Sequence, residues 1–131
     1  MSGFANKLRN LPDFISLISA TSEQISKAEN KLGLKFSNEY REYLTECGVA
    51  SANGHEFTGV CKSSRLNVVD VTISERIRNP NIQTIYYVVE QINMDRIVVW
   101  QSNSGEVFIT TPSMPPIKLC NSLCEYLEIQ R

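Results

Sequence analysis

The amino-acid sequence predicts an α+β fold, in which N-terminal helices pack on a mainly antiparallel, curved sheet and a C-terminal helix closes the structure. Helical periodicity dominates the first part of the chain, and it returns at the end. Between them lie short β-branched and aromatic runs separated by turn residues. The length of 131 residues fits a single domain over residues 1–131, which can bury a core without a metal or a disulfide.

The N-terminal helices are predicted from apolar spacing and from capping residues. Residues 1–20 carry apolar side chains interrupted by Pro12, a pattern that suits one or two short helices. Thr21 and Gln24 have the spacing of a capping box, which predicts the start of the next helix. Gly33 supplies the left-handed conformation that commonly ends a helix, so we expect that helix to stop there.

A further helix is predicted between Ser37, which can cap its start, and Gly48, which can end it. One face of this helix is apolar and carries Tyr40, Tyr43, Leu44 and Cys47. The opposite face is acidic and carries Glu39, Glu42 and Glu46. We expect the acidic row to be solvated, and the alternative is that it meets a basic partner.

Beyond Gly48 the pattern changes to strands and turns. Residues 55–61 are typical of a short strand with an internal glycine, and residues 85–90 are typical of a strand rich in β-branched and aromatic side chains. Residues 68–77 fit either the end of a strand or a helix, and the pattern leaves both open.

The clearest strand pair comes next. Residues 96–101 and 106–110 flank a short polar linker and should form an antiparallel hairpin, with Trp100 in the core. Residues 117–119 predict a last short strand, and a second capping box at residues 122–125 predicts the start of the final helix.

Charge and composition exclude several classes of function. Thirteen basic and fourteen acidic residues give a formal net charge of −1, so the basic surplus that direct nucleic-acid binding requires is absent. The apolar runs are too short for a membrane helix, and the first residues lack the apolar stretch of a secretory signal. We therefore expect a cytoplasmic protein that contacts neither nucleic acid nor membrane directly.

The residues capable of catalysis or metal binding form no recognisable constellation. Cys47, Cys61, Cys120 and Cys124 match no recurring zinc spacing, so free thiols packed as small apolar side chains are expected. His55 is the sole histidine, and a nucleophile–base pair would have to pass through it. We expect no catalytic residue, no metal and no cofactor, and the alternative is an enzyme built on His55 and a cysteine.

Residues 25–44, ISKAENKLGLKFSNEYREYL, with Gly48 and then NGHEFTG at residues 53–59, resemble the SUKH superfamily. This superfamily holds bacterial immunity proteins, including YobK-type antitoxins, and fungal cell-wall regulators. The positions that match its pattern are Glu29, Leu32, Tyr40, Tyr43, Leu44, Gly48 and Gly59. Later segments extend the resemblance over roughly residues 21–128, although Asn38 stands where many members have proline.

The resemblance implies a non-enzymatic immunity protein, or antitoxin, that occludes the active site of a cognate polymorphic toxin domain. A nuclease is the expected toxin class, and a monomer or weak dimer is the expected state. Because a nuclease cleft must be basic to hold phosphates, acidic residues are the candidate contacts. The candidates are Glu56, Asp70, Glu75, Glu90, Asp95 and Glu106. The alternative is a scaffold or regulatory protein-interaction domain of the same fold.

Overall fold

A computed structural model describes residues 3–92, 96–112 and 114–129, so Asp95 of the predicted contact set lies outside the described residues. Within these ranges the α+β prediction is confirmed, including the C-terminal helix. The helices are α1 (Gly3–Arg9), α2 (Ser22–Leu32), α3 (Asn38–Cys47), α4 (Val68–Arg78) and α5 (Leu123–Glu128). The strands are β1 (Ile15–Ser16), β2 (Ala50–Ala52), β3 (His55–Glu56), β4 (Tyr87–Ile92), β5 (Ile97–Gln101), β6 (Val107–Thr110) and β7 (Ile117–Cys120).

The strands form two antiparallel sheets instead of one. The smaller sheet has the order β1-β2-β3, and the larger has the order β4-β5-β6-β7. The predicted hairpin is confirmed, since β5 pairs with β6 and Val99 lies opposite Ile109. An isolated antiparallel bridge between Phe57 and Glu90 connects the chain after β3 to β4. The two sheets therefore meet at the outer edge of β4.

The local signals at the starts and ends of α2 and α3 are confirmed. Thr21 Oγ1 accepts a hydrogen bond from the Gln24 amide at 3.1 Å, and Gln24 Oε1 accepts one from the Thr21 amide at 2.9 Å. Gly33 has φ 68° and ends α2. Ser37 caps α3 by accepting from the Tyr40 amide at 3.0 Å. These caps satisfy backbone donors that a helix end leaves unpaired.

In three segments the structure differs from the predicted secondary structure or settles which of two predicted elements is present. Residues 68–77 belong to helix α4, whose start is capped by the Asn67 side chain. The region before residue 20 contains one helix and then β1, because the chain turns after Pro12 through Asp13, which has φ 61°. The strand expected at residues 55–61 is limited to β3, because the backbone beyond Phe57 leaves β2, and Phe57 and Gly59 form isolated bridges to other segments.

Two glycines allow three backbone segments to lie in direct contact. A Cβ atom on Gly59 would lie 1.9 Å from the carbonyl oxygen of Gly48, and a Cβ atom on Gly48 would lie 1.9 Å from that of Ile18. Gly48 also has φ 71°, and its carbonyl accepts from the Val60 amide at 2.9 Å. No side chain fits at either position, which explains why glycine stands at both.

The main core joins the helices to both sheets through aromatic side chains. Phe4 packs edge-on against Phe57 at a centroid distance of 5.2 Å, and Tyr40 packs against Tyr87 at 5.0 Å. A second cluster lies between α4 and the larger sheet and contains Trp100, so the core prediction for this residue is confirmed. None of the helices within the described ranges is long and apolar enough to cross a membrane.

Candidate interaction surface

Glu56 lies on β3 with its side chain about half exposed, as a contact residue would require. Its carboxylate receives two hydrogen bonds from the Arg65 guanidinium, at 2.9 and 3.0 Å. These bonds, together with the charge of Arg65, lower the pKa of Glu56. The negative charge of Glu56 is therefore largely compensated by its own chain.

Glu90 does not lie on the surface, so its predicted place in an exposed contact surface is wrong. Its residue is 2% exposed, because the segment after β3 and helix α5 cover β4. His55 Nδ1 lies 3.0 Å from one carboxylate oxygen, and the Tyr126 hydroxyl donates to the same oxygen at 2.5 Å. The Glu56 amide donates to the other oxygen at 3.3 Å. Glu90 thus holds β3 and α5 to the larger sheet.

The His55 side chain is surrounded by aromatic side chains and the Glu90 carboxylate. The ring is buried, and it stacks on Phe57 at a centroid distance of 5.3 Å with an interplanar angle of 13°. His55 is the first residue of β3, which agrees with its expected position at the entry to a strand. Its contact with the Glu90 carboxylate joins two buried groups that would each be costly to bury alone.

Glu75 is also buried, so its predicted surface position is wrong as well. It lies on the inner face of α4 and accepts a hydrogen bond from Gln91 Nε2 of β4 at 2.5 Å. A cavity of about 210 Å³ beside this contact is lined by Glu75, Gln91, Arg78 and Arg96, among others. Glu75 therefore fixes α4 against the outer edge of the larger sheet.

Glu106 lies apart from the other candidates that the structure describes, just before β6. Its carboxylate accepts a hydrogen bond from Lys118 Nζ of β7 at 2.8 Å, and this bond lowers the pKa of Glu106. Strand β5 separates β6 from β4, so the structure does not bring Glu106 together with Glu56. The five predicted residues that the structure describes do not form one acidic patch.

Asp70 is exposed, as predicted, and it lies beside two exposed isoleucines that were not predicted as contact residues. It lies in the first turn of α4, three residues before Ile73 and seven before Ile77. Ile73 is 47% exposed and Ile77 is 78% exposed. Residues at this spacing share one side of a helix, so Asp70, Ile73 and Ile77 form an exposed stripe, here called the α4 face. Periodicity could have found this stripe only after residues 68–77 had been assigned as a helix.

The acidic row of α3 is divided among three environments. Glu39 is half-buried, and its carboxylate accepts hydrogen bonds from the Leu123 and Cys124 amides at 2.6 and 3.1 Å. It therefore caps α5 from another helix, and the expectation that it is solvated is wrong. Glu46 is half-buried, and its Oε1 atom lies 3.0 Å from Nη1 of Arg9. Glu42 is exposed.

The cysteines are free thiols, as expected. Cys47 is buried and the other three are half-buried. Burial raises the pKa of each thiol, to about 11 for Cys124, where the Glu39 carboxylate adds to the effect. Among the described residues, no group of three or more His, Cys, Asp and Glu side chains is placed to hold a metal ion.

Comparison with known proteins agrees with this architecture. No curated protein matches the chain. The family model SUKH_5, described as SMI1-KNR4 cell-wall, matches residues 1–128. That range includes the glycine contact at Gly48 and Gly59, the aromatic face of α3 and the closing helix α5. The chain therefore belongs to the SUKH superfamily, in its SMI1-KNR4 family.

Proposed function

We propose that this protein is a cytoplasmic immunity protein that binds and neutralises a cognate polymorphic toxin domain by covering its active site. The observation that carries the proposal is the SUKH family match, which spans residues 1–128. The resemblance described above links this superfamily to bacterial immunity proteins. The mode of action is binding without chemical conversion, and a nuclease domain is the preferred toxin class.

The α4 face is the contact surface that the geometry supports best. Its two exposed isoleucines offer apolar area, and Asp70 adds a negative charge at the start of the helix. Buried apolar anchors supply most of the binding energy in protein interfaces, and charges at the rim mainly steer association. A toxin cleft with basic residues around an apolar contact would complement this face.

The α4 face is held rigidly, which favours tight binding. Thr72 Oγ1 accepts a hydrogen bond from the Val88 amide of β4 at 3.0 Å, and Glu75 is bonded to Gln91 of the same strand. Both residues point inward from α4 and are buried. A surface that is already ordered loses less conformational freedom on binding, so more of its contact energy appears as affinity.

Charge contributes less to this proposal than the sequence alone suggested. Glu56 and Glu106 are each paired with a basic side chain, and Glu75 and Glu90 are buried. Asp70 is the candidate that combines an exposed position with a place beside exposed apolar side chains. We therefore expect apolar substitutions on α4 to weaken toxin binding more than charge removal at Glu56 or Glu106.

A second candidate function is a scaffold or regulatory interaction domain. The description of the matched family names SMI1-KNR4 and the cell wall, and this description favours the second candidate. The two candidates differ in the number of partners. An immunity protein should form a stable complex with one toxin domain, whereas a scaffold should recover several unrelated proteins.

Co-expression with the toxin domain encoded in the adjacent reading frame tests the proposal. We expect restored growth and a 1:1 complex on size-exclusion chromatography. The variants Ile73→Lys and Ile77→Lys should lose both, and Ile117→Lys on β7 is the matched control because its isoleucine is also exposed. Absence of both rescue and complex with the unmodified chain would refute the immunity role. Rescue that survives both α4 substitutions would move the contact surface elsewhere.

A further inference from the structure

Among the described residues, no strand pairs with the outer edge of β1, and the segment carries exposed apolar side chains. Strand β1 is the edge strand of the smaller sheet and pairs only with β2 among the described strands. Ile15 is 62% exposed, Leu17 is 59% exposed and Ile18 is 88% exposed. Residues 14–20 contain no charged side chain and no proline, which are the usual devices that prevent an edge from pairing.

The backbone of Ser16 faces away from β2. Ser16 lies opposite Ala50, and the neighbouring Leu17 amide donates to the Val49 carbonyl at 3.0 Å. The amide of Ala50 donates to the Tyr43 hydroxyl, and its carbonyl accepts from the Phe57 amide, both on the far side of β2. Since hydrogen-bonding direction alternates along an antiparallel strand, the N–H and C=O groups of Ser16 point outward. Ser16 is itself exposed.

This edge is complementary to itself. When two antiparallel copies of β1 meet at a two-fold axis through Ser16, each Ser16 N–H can donate to the Ser16 C=O of the other copy. Ile15 of one copy then lies opposite Leu17 of the other, in a non-hydrogen-bonded pair whose side chains are close. All four apolar side chains fall on one face, and no like charges oppose each other.

We propose that the edge of β1 pairs with a second copy of this chain, which makes the protein a weak, two-fold symmetric dimer. Stable interfaces bury about 800 Å² on each partner, far more than three side chains and a two-residue strand provide. The association should therefore be reversible and dependent on concentration. This inference stands apart from the immunity role, because it involves no toxin.

Sedimentation velocity of the full chain, at concentrations up to roughly millimolar, tests the dimer. We expect a monomer–dimer equilibrium for the unmodified protein. Ser16→Pro removes the outward N–H donor without touching the bonds to β2, so the dissociation constant should rise about tenfold or more. Ile73→Lys on α4 is the control and should leave the equilibrium unchanged.

A charge exchange tests the register of the pairing. Ile15→Lys and Leu17→Glu should each abolish the homodimer, because each places a charge against an apolar side chain on both sides of the axis. Mixed in equal amounts, the two variants should associate, since Lys at position 15 would then meet Glu at position 17. Circular dichroism melting curves close to that of the unmodified protein will show that the variants are folded.

Three results would overturn the proposal. The first is an unmodified chain that stays monomeric at every concentration. The second is a dimer that survives Ser16→Pro and Ile15→Lys unchanged. The third is protection of the Ser16 amide from hydrogen exchange only after the toxin domain is added to a monomeric chain, which would assign the edge to a strand of the toxin.

Discussion

Glu90 and Glu56 are neighbouring glutamates whose carboxylates lie in opposite environments, one buried and one exposed. The Glu56 amide donates to the Glu90 carboxylate, so the two residues are neighbours. Glu90 is buried among His55 and Tyr126, whereas the Glu56 carboxylate is half exposed and paired with Arg65. The partners of a buried carboxylate cannot form hydrogen bonds to water instead, so the carboxylate is needed for the stability of the fold. The partners of an exposed carboxylate can be hydrated when it is removed. The degree of burial therefore determines whether a glutamate stabilises the fold or is available at the surface.

The largest difference should appear when each carboxylate is removed. We expect Glu90→Ala to lower the free energy of unfolding by about 3 kcal/mol, because His55 and Tyr126 lose a buried acceptor. Glu56→Ala should change it little, because Arg65 is exposed and can be hydrated instead. Urea denaturation followed by fluorescence of Trp100 measures both values.

Glu90→Gln is the closer control for the shape of the site. It keeps a carbonyl oxygen that can accept from Tyr126, but it removes the charge, so an intermediate loss is expected. Equal losses for Glu90→Ala and Glu56→Ala would contradict the distinction between the two carboxylates.

The same contrast exists on α3, between Glu39 and Glu42. We expect Glu39→Ala to cost about 1–2 kcal/mol, because the first turn of α5 loses its acceptor for the Leu123 and Cys124 amides. Glu42→Ala, at an exposed position of the same helix, should stay within about 0.5 kcal/mol. Thermal unfolding of both variants decides the question, and similar melting temperatures would show that the Glu39 cap is unimportant.

The parts of the fold that the sequence predicted depend on short-range chemistry. The Thr21 capping box, the Gly33 and Gly48 helix ends and the β5–β6 hairpin are determined within a few residues. The family resemblance agreed with these local signals along most of the chain, but the division into two sheets, strand β1 and the helical state of residues 68–77 were not predicted. Trp100 was also predicted as core, because its strand is apolar on both faces.

The candidate site was predicted less well, because its properties depend on residues distant in the sequence. Glu90 is buried by Phe57, which precedes it by more than thirty positions, and by α5, which follows it by more than thirty positions. A register irregularity between Val88 and Glu90 also disturbs the alternation of side chains along β4. The α4 face could not be seen while residues 68–77 fitted two kinds of element. Apolar patterns in the sequence predict which apolar residues are buried. Which charged side chains are buried depends on the contacts of the assembled fold.

The smallest expected effect concerns the exposed carboxylates in acid. The pKa values of Glu56 and Glu106 are lowered by Arg65 and Lys118, respectively. A carboxyl group with a lower pKa in the folded state stabilises the fold above its unfolded pKa, about 4.3 for glutamate, and this contribution disappears as the pH falls through the folded pKa. The double variant Glu56→Gln, Glu106→Gln should therefore show a flatter loss of stability below about pH 4.3 than the unmodified chain. Salt should reduce the difference, because both pairs are exposed. Urea midpoints measured across this pH range give the slope, and an unchanged slope in the double variant would mean that these two ion pairs do not contribute to the acid response.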